Sequence, residues 1–366
     1  MIVLDLCTGI SGMGLLLPPH KVALYVEKNK FCATILERRM ANGCIPHAPV
    51  CSDFAQIDID SIRQQGITHI FAGFPCQDIS IIGVQAGLKE GTRSSLFYDI
   101  MRLAIDIAVP YLYLENVDGI RSNKSIWQDI ITTIHASGYD LYWTTTSARD
   151  AGSPQLRKRW FALCVRSRRP AGQSLPLDSM PPATKTGKLI NGKYLPVPAA
   201  DHSERWSKDL HVCLTARTKY SSAAWRQKHA RTPRKLKRWA TPRAGMHGAA
   251  RTLTLRCMRD LPTQLRFANT TPAHQKRFSE SSIVCNPEWV EWLMGFPQGW
   301  TDPRQDIDTV DLYDHWGKNE PNLKLVCSRQ RDVHKRLSAL GNACVPQTSA
   351  LAWHELSLWQ NADEAN

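Results

Sequence analysis

The chain has 366 residues, 43% hydrophobic and 22% charged, the proportions of a globular protein rather than a disordered or fibrous one. No apolar run approaches the roughly 18 residues that a bilayer-spanning helix needs. No basic stretch precedes the apolar Met1–Asp5 as it would in a secretory leader, so a cytoplasmic address is expected, with no membrane partner.

In chain order, near-continuous apolar runs predict strands at Ile2–Cys7, Val22–Glu27, His69–Phe74, Tyr111–Val117, Leu141–Ser147 and Trp160–Val165. Between them, Lys30–Met40, Leu96–Ala108 and Ser125–Ser137 read as helices. This alternation predicts an α/β fold with a doubly wound, mostly parallel sheet over residues 1–169. From 170 to 280 the chain turns rich in Pro, Thr, Arg and Lys and loses its periodicity, as expected of an irregular inserted domain. Order returns with a short helix over Asn286–Gly295, whose Pro287 suits a first turn. Residues 304–330 read as a polar connection, and Lys335–Trp359 as a closing helical segment broken near Gly341–Pro346. Residues 281–366 are expected to complete the first domain.

The formal net charge is +13, and its placement is informative. Residues 171–280 alone hold 21 Lys and Arg against 6 Asp and Glu, a surplus larger than that of the whole chain. A basic segment beside a near-neutral body is the electrostatic footprint of a polyphosphate partner. The eleven cysteines do not suggest zinc or a disulfide framework. The closest pair, Cys44 and Cys51, is seven positions apart, and C-x-x-C does not occur. Reduced, buried thiols are expected, and no metal.

Five motifs fall at or beside predicted strand ends. The first strand runs into Asp5-Leu-Cys7-Thr-Gly9-Ile10-Ser-Gly12, a glycine turn that lets backbone approach a ligand closely. Glu27, 22 positions after Asp5, ends the next strand, where a carboxylate can accept from ribose hydroxyls; Asp53 is placed to meet an adenine amino group. Gly73-Phe-Pro75-Cys76-Gln77 follows the third strand and puts a thiol at the carboxyl edge of the sheet, with Gly83, Gly87 and Gly91 spacing the loop after it. Glu115-Asn116-Val117 ends another strand, so Glu115 can share a cleft with Cys76 and protonate a ring nitrogen while the thiolate attacks. Finally, Gln155-Leu-Arg157-Lys-Arg159 puts two guanidiniums on one face, suited to a phosphate or a polarised carbonyl.

Taken in this order, with Gly341-Asn342-Ala343 and Pro346 near the end, these motifs resemble those of the cytosine-C5 DNA methyltransferases. The resemblance covers about 1–169 and 281–350; Asn286–Trp300 and Trp239–Pro242 look like variants carried by phages and prophages. It implies S-adenosylmethionine as cofactor, held by Asp5, Cys7, Gly9, Ile10, Gly12, Glu27, Asp53, Phe54, Pro75, Leu96, Asn342 and Ala343. It also implies a catalytic set of Cys76, Glu115, Asn116, Arg157, Arg159 and Gln77. Cys76 would add to C6 of a cytosine flipped out of double-stranded DNA, and Glu115 would protonate N3. Asn116 would orient Glu115, and Arg157 and Arg159 would hold the base carbonyl or nearby backbone. The 170–280 insert would be the target-recognition domain, with Arg234, Lys235, Lys237 and Arg238 on phosphates. A monomer is expected, with a cognate restriction endonuclease as a candidate partner in a restriction-modification system. Methylation of RNA cytosine, as by tRNA-directed relatives, and a catalytically silent DNA-binding protein on the same fold are the competing readings. Two departures from the family pattern, Ser11 in place of a glycine and Lys28 in place of an aromatic residue, bear on cofactor affinity rather than on reaction type.

Overall fold

The computed structural model describes residues 1–75, 95–167, 172, 175, 180–197, 242, 283–307, 316, 321–328 and 332–364. Their core is a nine-stranded sheet of order β3-β2-β1-β4-β5-β7-β6-β8-β9. The strands are β1 (Ile2–Leu6), β2 (Lys21–Val26), β3 (Val50–Cys51), β4 (His69–Gly73), β5 (Tyr111–Val117), β6 (Tyr139–Ser147), β7 (Lys158–Arg166), β8 (Gly187–Ile190) and β9 (Lys193–Leu195). The α/β class and the six anticipated strands are present.

The sheet is mixed rather than mostly parallel. Strands β3, β2, β1, β4 and β5 pair in parallel, whereas β7, β6, β8 and β9 continue the sheet antiparallel. The reason is topological. β7 slots between β5 and β6, and the short connections from β6 to β7 and from β8 to β9 favour antiparallel neighbours. β8 returns after the longer stretch 167–186 to pair antiparallel with the other side of β6. The sheet also runs past the anticipated boundary at 169, because β8 and β9 add to the free edge of β6.

Alternate residues of each central strand face opposite layers. Val3, Phe71, Tyr113 and Phe161 pack on one side with side chains from α1 (Lys30–Ala41), α5 (Pro287–Leu293), α6 (Val333–Asn342) and α7 (Pro346–Glu364). Leu4, Ile70, Leu112 and Ala162 pack on the other with α2 (Ile59–Gln64), α3 (Ser95–Asp106) and α4 (Lys124–Ala136). Burying each large apolar side chain stabilises the fold by about 1.5–3 kcal/mol, so each layer is held by many such terms. Helix α4 illustrates the local code. The Asn123 side chain caps Ile126 N, and Ile126, Ile130 and Ile134 recur at four-residue spacing on the buried face. Asn286 likewise caps α5, with Pro287 in its first turn as anticipated.

The C-terminal segment folds back on the first half. A short pair joins β11 (Val326–Ser328), within the predicted polar connection, to β10 (Ile283–Cys285), just ahead of α5. The closing helices α6 and α7 are separated at Ala343–Val345, matching the anticipated break. Tyr113 Oη donates to Ser349 O at 2.7 Å, joining the middle of the sheet to α7. Among the described residues no helix is long and apolar enough to cross a membrane.

Candidate active site

Parallel pairing brings the carboxyl ends of β1, β2, β3, β4 and β5 to one edge, where open α/β sheets bind ligands. Two groups of side chains gather there.

The first surrounds the turn after β1. Cys7, Gly9 and Ser11 all have left-handed backbone, with φ of 54°, 59° and 64°. A Cβ built on Gly9 meets nothing within 4 Å, so this turn offers bare backbone to open space. Glu27 closes it from β2: Oε2 accepts from Gly9 N at 2.7 Å and Oε1 from Asn29 N at 2.7 Å. Burial pushes the Glu27 carboxyl up, and the two backbone N–H groups pull it back. Each oxygen keeps an acceptor site beyond these bonds, which matches the two adjacent hydroxyls of a ribose. Asp53 is exposed at the end of β3, where its Oδ1 accepts from Ala55 N, and Phe54 beside it is half-buried. Asp5 lies beneath the turn, only 3% exposed, and burial raises its carboxyl to about 7. Ile10 is buried beside it. A glycine cradle after β1, a carboxylate at the end of β2 and an exposed aspartate after β3 fit an adenosine-bearing group.

Gly12 does something else. A Cβ there would lie 2.2 Å from Cys344 O and 3.0 Å from Phe296 Cζ. Its missing side chain makes room for the C-terminal segment. Ala343 is buried and Asn342 exposed at the end of α6, in that same segment; Leu96 is half-buried and Pro75 exposed.

The second group lies one strand over. Gly73 of β4 pairs in register with Glu115 of β5. Asn116 Nδ2 donates to Phe74 O at 3.2 Å, and Asn116 Oδ1 accepts from Val117 N. The amide side chain therefore ties β5 to the residue before Pro75, instead of orienting Glu115. Glu115 Oε1 pairs with Arg159 Nε at 2.9 Å. Burial raises the Glu115 carboxyl, while Arg159 and then Arg157 oppose that shift. Burial is the larger effect, so this acid sits nearer to neutrality than a surface glutamate, although a guanidinium touches it.

Of the two roles expected for Arg157, holding a base carbonyl or nearby backbone, its contacts match the second. It is buried, and its Nη atoms donate to Pro242 O at 2.9 Å, Gly341 O at 2.9 Å and Ala343 O at 2.6 Å. Its fork fixes backbone. Gln155 acts similarly, donating to Leu293 O at 2.7 Å. The anticipated Cys76 and Gln77 lie outside the described residues, as do Arg234, Lys235, Lys237 and Arg238.

Several positioning groups have no motif of their own. Trp300 Nε1 donates to Ile10 O at 3.0 Å. Arg39, fully buried, donates to Asp302 O and Gln305 O at 2.8 Å each. Glu291 accepts from Gly299 N and Thr301 N and pairs with Arg336 at 3.0 Å. A buried-charge reading of Arg39 or Glu291 would have needed knowledge of partners about 260 and 45 positions away.

Comparison with known proteins adds an independent line. The model of the family described as "C-5 cytosine-specific DNA methylase" matches residues 1–318. Type II methyltransferase M.MspI of Moraxella sp is 34% identical over 111 residues, 30% of this chain and 26% of that protein. Type II methyltransferase M.HhaI of Haemophilus parahaemolyticus is 32% identical over 168 residues, 45% of this chain and 49% of that protein. The matched stretches thus span only about a quarter to a half of these relatives. The crystal structure of S. pombe Dnmt2 methyltransferase superposes with a TM-score of 0.51, covering 98% of this chain and 99% of that one, at 17% identity. At that identity the likeness is one of fold.

Proposed function

We propose, from the premise that this chain belongs to the C-5 cytosine-specific DNA methylase family, that it transfers a methyl group from S-adenosylmethionine to C5 of cytosine in double-stranded DNA. The observation that carries the reading is the pairing of Gly73 with Glu115 at the carboxyl edge, with Arg159 behind the carboxyl. Cys76 follows Gly73 by three peptide units, which reach at most about 11 Å, so the thiol is tethered to the edge that carries the acid.

Cytosine C5 is a poor nucleophile within its aromatic ring. Addition of the Cys76 thiolate to C6 breaks the C5–C6 double bond, and a proton from Glu115 to N3 neutralises the charge that develops. The ring then carries electron density at C5. S-adenosylmethionine supplies the methyl group as an electrophile. Loss of the C5 proton re-forms the double bond and expels the Cys76 thiolate. For Glu115 the burial-driven upward shift suits this work, since the acid must hold a proton near neutral pH and give it up as the thiolate adds. Arg159 steadies the resulting carboxylate. C6 is out of reach inside a stacked duplex, so the reading includes extrusion of the target base.

Glu27 and the Gly9 turn would hold the ribose and Asp53 the adenine amino group. The basic 170–280 stretch would supply phosphate contacts, Arg234, Lys235, Lys237 and Arg238 among them, and with them sequence recognition. A monomer in the cytoplasm of a bacterial or phage-infected cell, as part of a restriction-modification pair, completes the reading.

Expression in a methylation-free bacterium, followed by bisulfite sequencing of the plasmid, tests it. Methylated cytosines in a fixed sequence context, lost with Cys76→Ala, are expected. An unmethylated plasmid from a well-expressed, folded protein, or labelling of tRNA alone, would overturn it.

A further inference from the structure

We infer that Trp300 is a positioning residue for cofactor binding: its indole N–H pins the Ile10 carbonyl and so holds the Gly9–Gly12 turn in its binding shape. The inference rests on the cofactor reading above and goes beyond it, since Trp300 lies far along the chain from the turn it serves.

The peptide between Ile10 and Ser11 is fixed at both poles. Its carbonyl accepts from Trp300 Nε1 at 3.0 Å, and its N–H, on Ser11, donates to Thr8 O at 3.0 Å. The next residue, Ser11, stands at φ 64°, a left-handed conformation that a residue with a Cβ adopts only when its surroundings over-determine it. Without the indole donor the buried Ile10 carbonyl loses its partner, and rotating the peptide plane would relieve Ser11. That rotation would also displace Gly9, whose N–H reaches Glu27.

Trp300 is in turn held from every side. It is 1% exposed, and its ring lies 5.6 Å from that of Phe296, which also bounds the space beside Gly12. Arg39 sits 5.9 Å over the indole and binds the carbonyls of Asp302 and Gln305. Glu291 accepts from Gly299 N and Thr301 N on either side of it. A ring so constrained cannot follow the turn if the turn relaxes. The donor is therefore preorganised for one shape of Ile10–Ser11.

Trp316 provides an internal control. Its Nε1 donates to Trp292 O at 3.0 Å, and it is 7% exposed, in the same part of the chain but with its bond away from the turn. Trp300→Phe and Trp316→Phe thus delete equivalent hydrogen bonds, only one of which touches the turn. Calorimetric titration with S-adenosylhomocysteine should show Trp300→Phe binding about fivefold to tenfold more weakly, the loss of one neutral hydrogen bond. Trp316→Phe should bind as the parent does even if both lose thermal stability, and kcat at saturating S-adenosylmethionine should be unchanged in both. Equal affinity for Trp300→Phe and the parent, or equal weakening in the two variants, would overturn the inference. Failure of the parent itself to bind S-adenosylhomocysteine would instead remove the cofactor reading on which the inference stands. Should Trp300→Phe not fold, the parent still decides the matter by NMR. Solvent exchange of the Trp300 indole proton should slow on adding S-adenosylhomocysteine while that of Trp316 does not, and no difference between them would overturn the inference.

Discussion

Arg159 Nε lies 2.9 Å from Glu115 Oε1, and both side chains are largely withdrawn from water. The pair couples the acid of the proposed reaction to a fixed cation on the neighbouring strand β7, opposite which β5 runs in register. Two effects compete at Glu115. Burial favours the neutral carboxyl and the guanidiniums favour the carboxylate, with burial prevailing.

Replacing Arg159 with Met removes the counter-charge and raises the Glu115 carboxyl further. For an acid whose folded pKa is raised, stability falls as pH climbs from the unfolded value to the folded one. The variant should therefore lose about 3 kcal/mol at pH 8, in the range for breaking a buried pair, and distinctly less at pH 5. Denaturant titrations at the two pH values check this. Methyl transfer should drop by about 10²-fold, with the alkaline limb of its pH profile moved upward.

Asp5 gives a second, cleaner linkage. The unfolded chain releases this proton near 3.8 and the folded one near 7, so the native state binds more protons in between and loses stability as pH rises through that window. Asp5→Asn abolishes the titration. Relative to the parent it should gain about 2–3 kcal/mol between pH 5 and pH 8 by that linkage. A pH-independent difference in urea midpoint would contradict the assignment.

Gly9 and Gly12 stand three residues apart and should respond differently to alanine. At Gly12 the new methyl collides with the Cys344 carbonyl at 2.2 Å. That overpacking against backbone should cost about 3 kcal/mol, seen as a lowered Tm. Gly9 has open space but left-handed φ. Alanine there should cost only about 1–2 kcal/mol and act mainly by weakening S-adenosylhomocysteine binding.

Asn116→Ala frees the Phe74 carbonyl and the end of β4 just ahead of Cys76. Turnover should fall roughly 10²-fold, the scale for a small misplacement of a reacting group, while calorimetric affinity for S-adenosylhomocysteine stays within twofold of the parent. Equal loss of both would place Asn116 with the cofactor instead.

Much of this was legible in the sequence because strand ends announce themselves. Asp5, Glu27 and Glu115 each close an apolar run, and parallel pairing then carries them to one edge without further information. Less legible were elements too short to show a period. β3 has two residues and α2 six, although Asp58 caps α2 in plain view. The hairpin of β8 and β9 carries a readable signal in an unfavourable setting. Asn191-Gly192, at φ of 49° and 76°, is the dipeptide that tight hairpins favour, but it lies in a stretch dominated by proline and basic residues. The role of Arg157 could not be read at all. Its acceptors lie at 341 and 343 in the C-terminal segment and at 242 in the basic insert, and only the folded chain brings all three to its fork.

The most direct test of the central claim uses duplex DNA containing 5-fluorocytosine in the methylated context, incubated with protein and S-adenosylmethionine. Fluorine at C5 leaves no proton to lose, so the thiolate cannot be expelled. Peptide mass mapping should find a single DNA adduct, on Cys76, that requires the cofactor and disappears in Cys76→Ala. Methylation of ordinary cytosine without any such adduct, or an adduct on another of the eleven cysteines, would contradict the account.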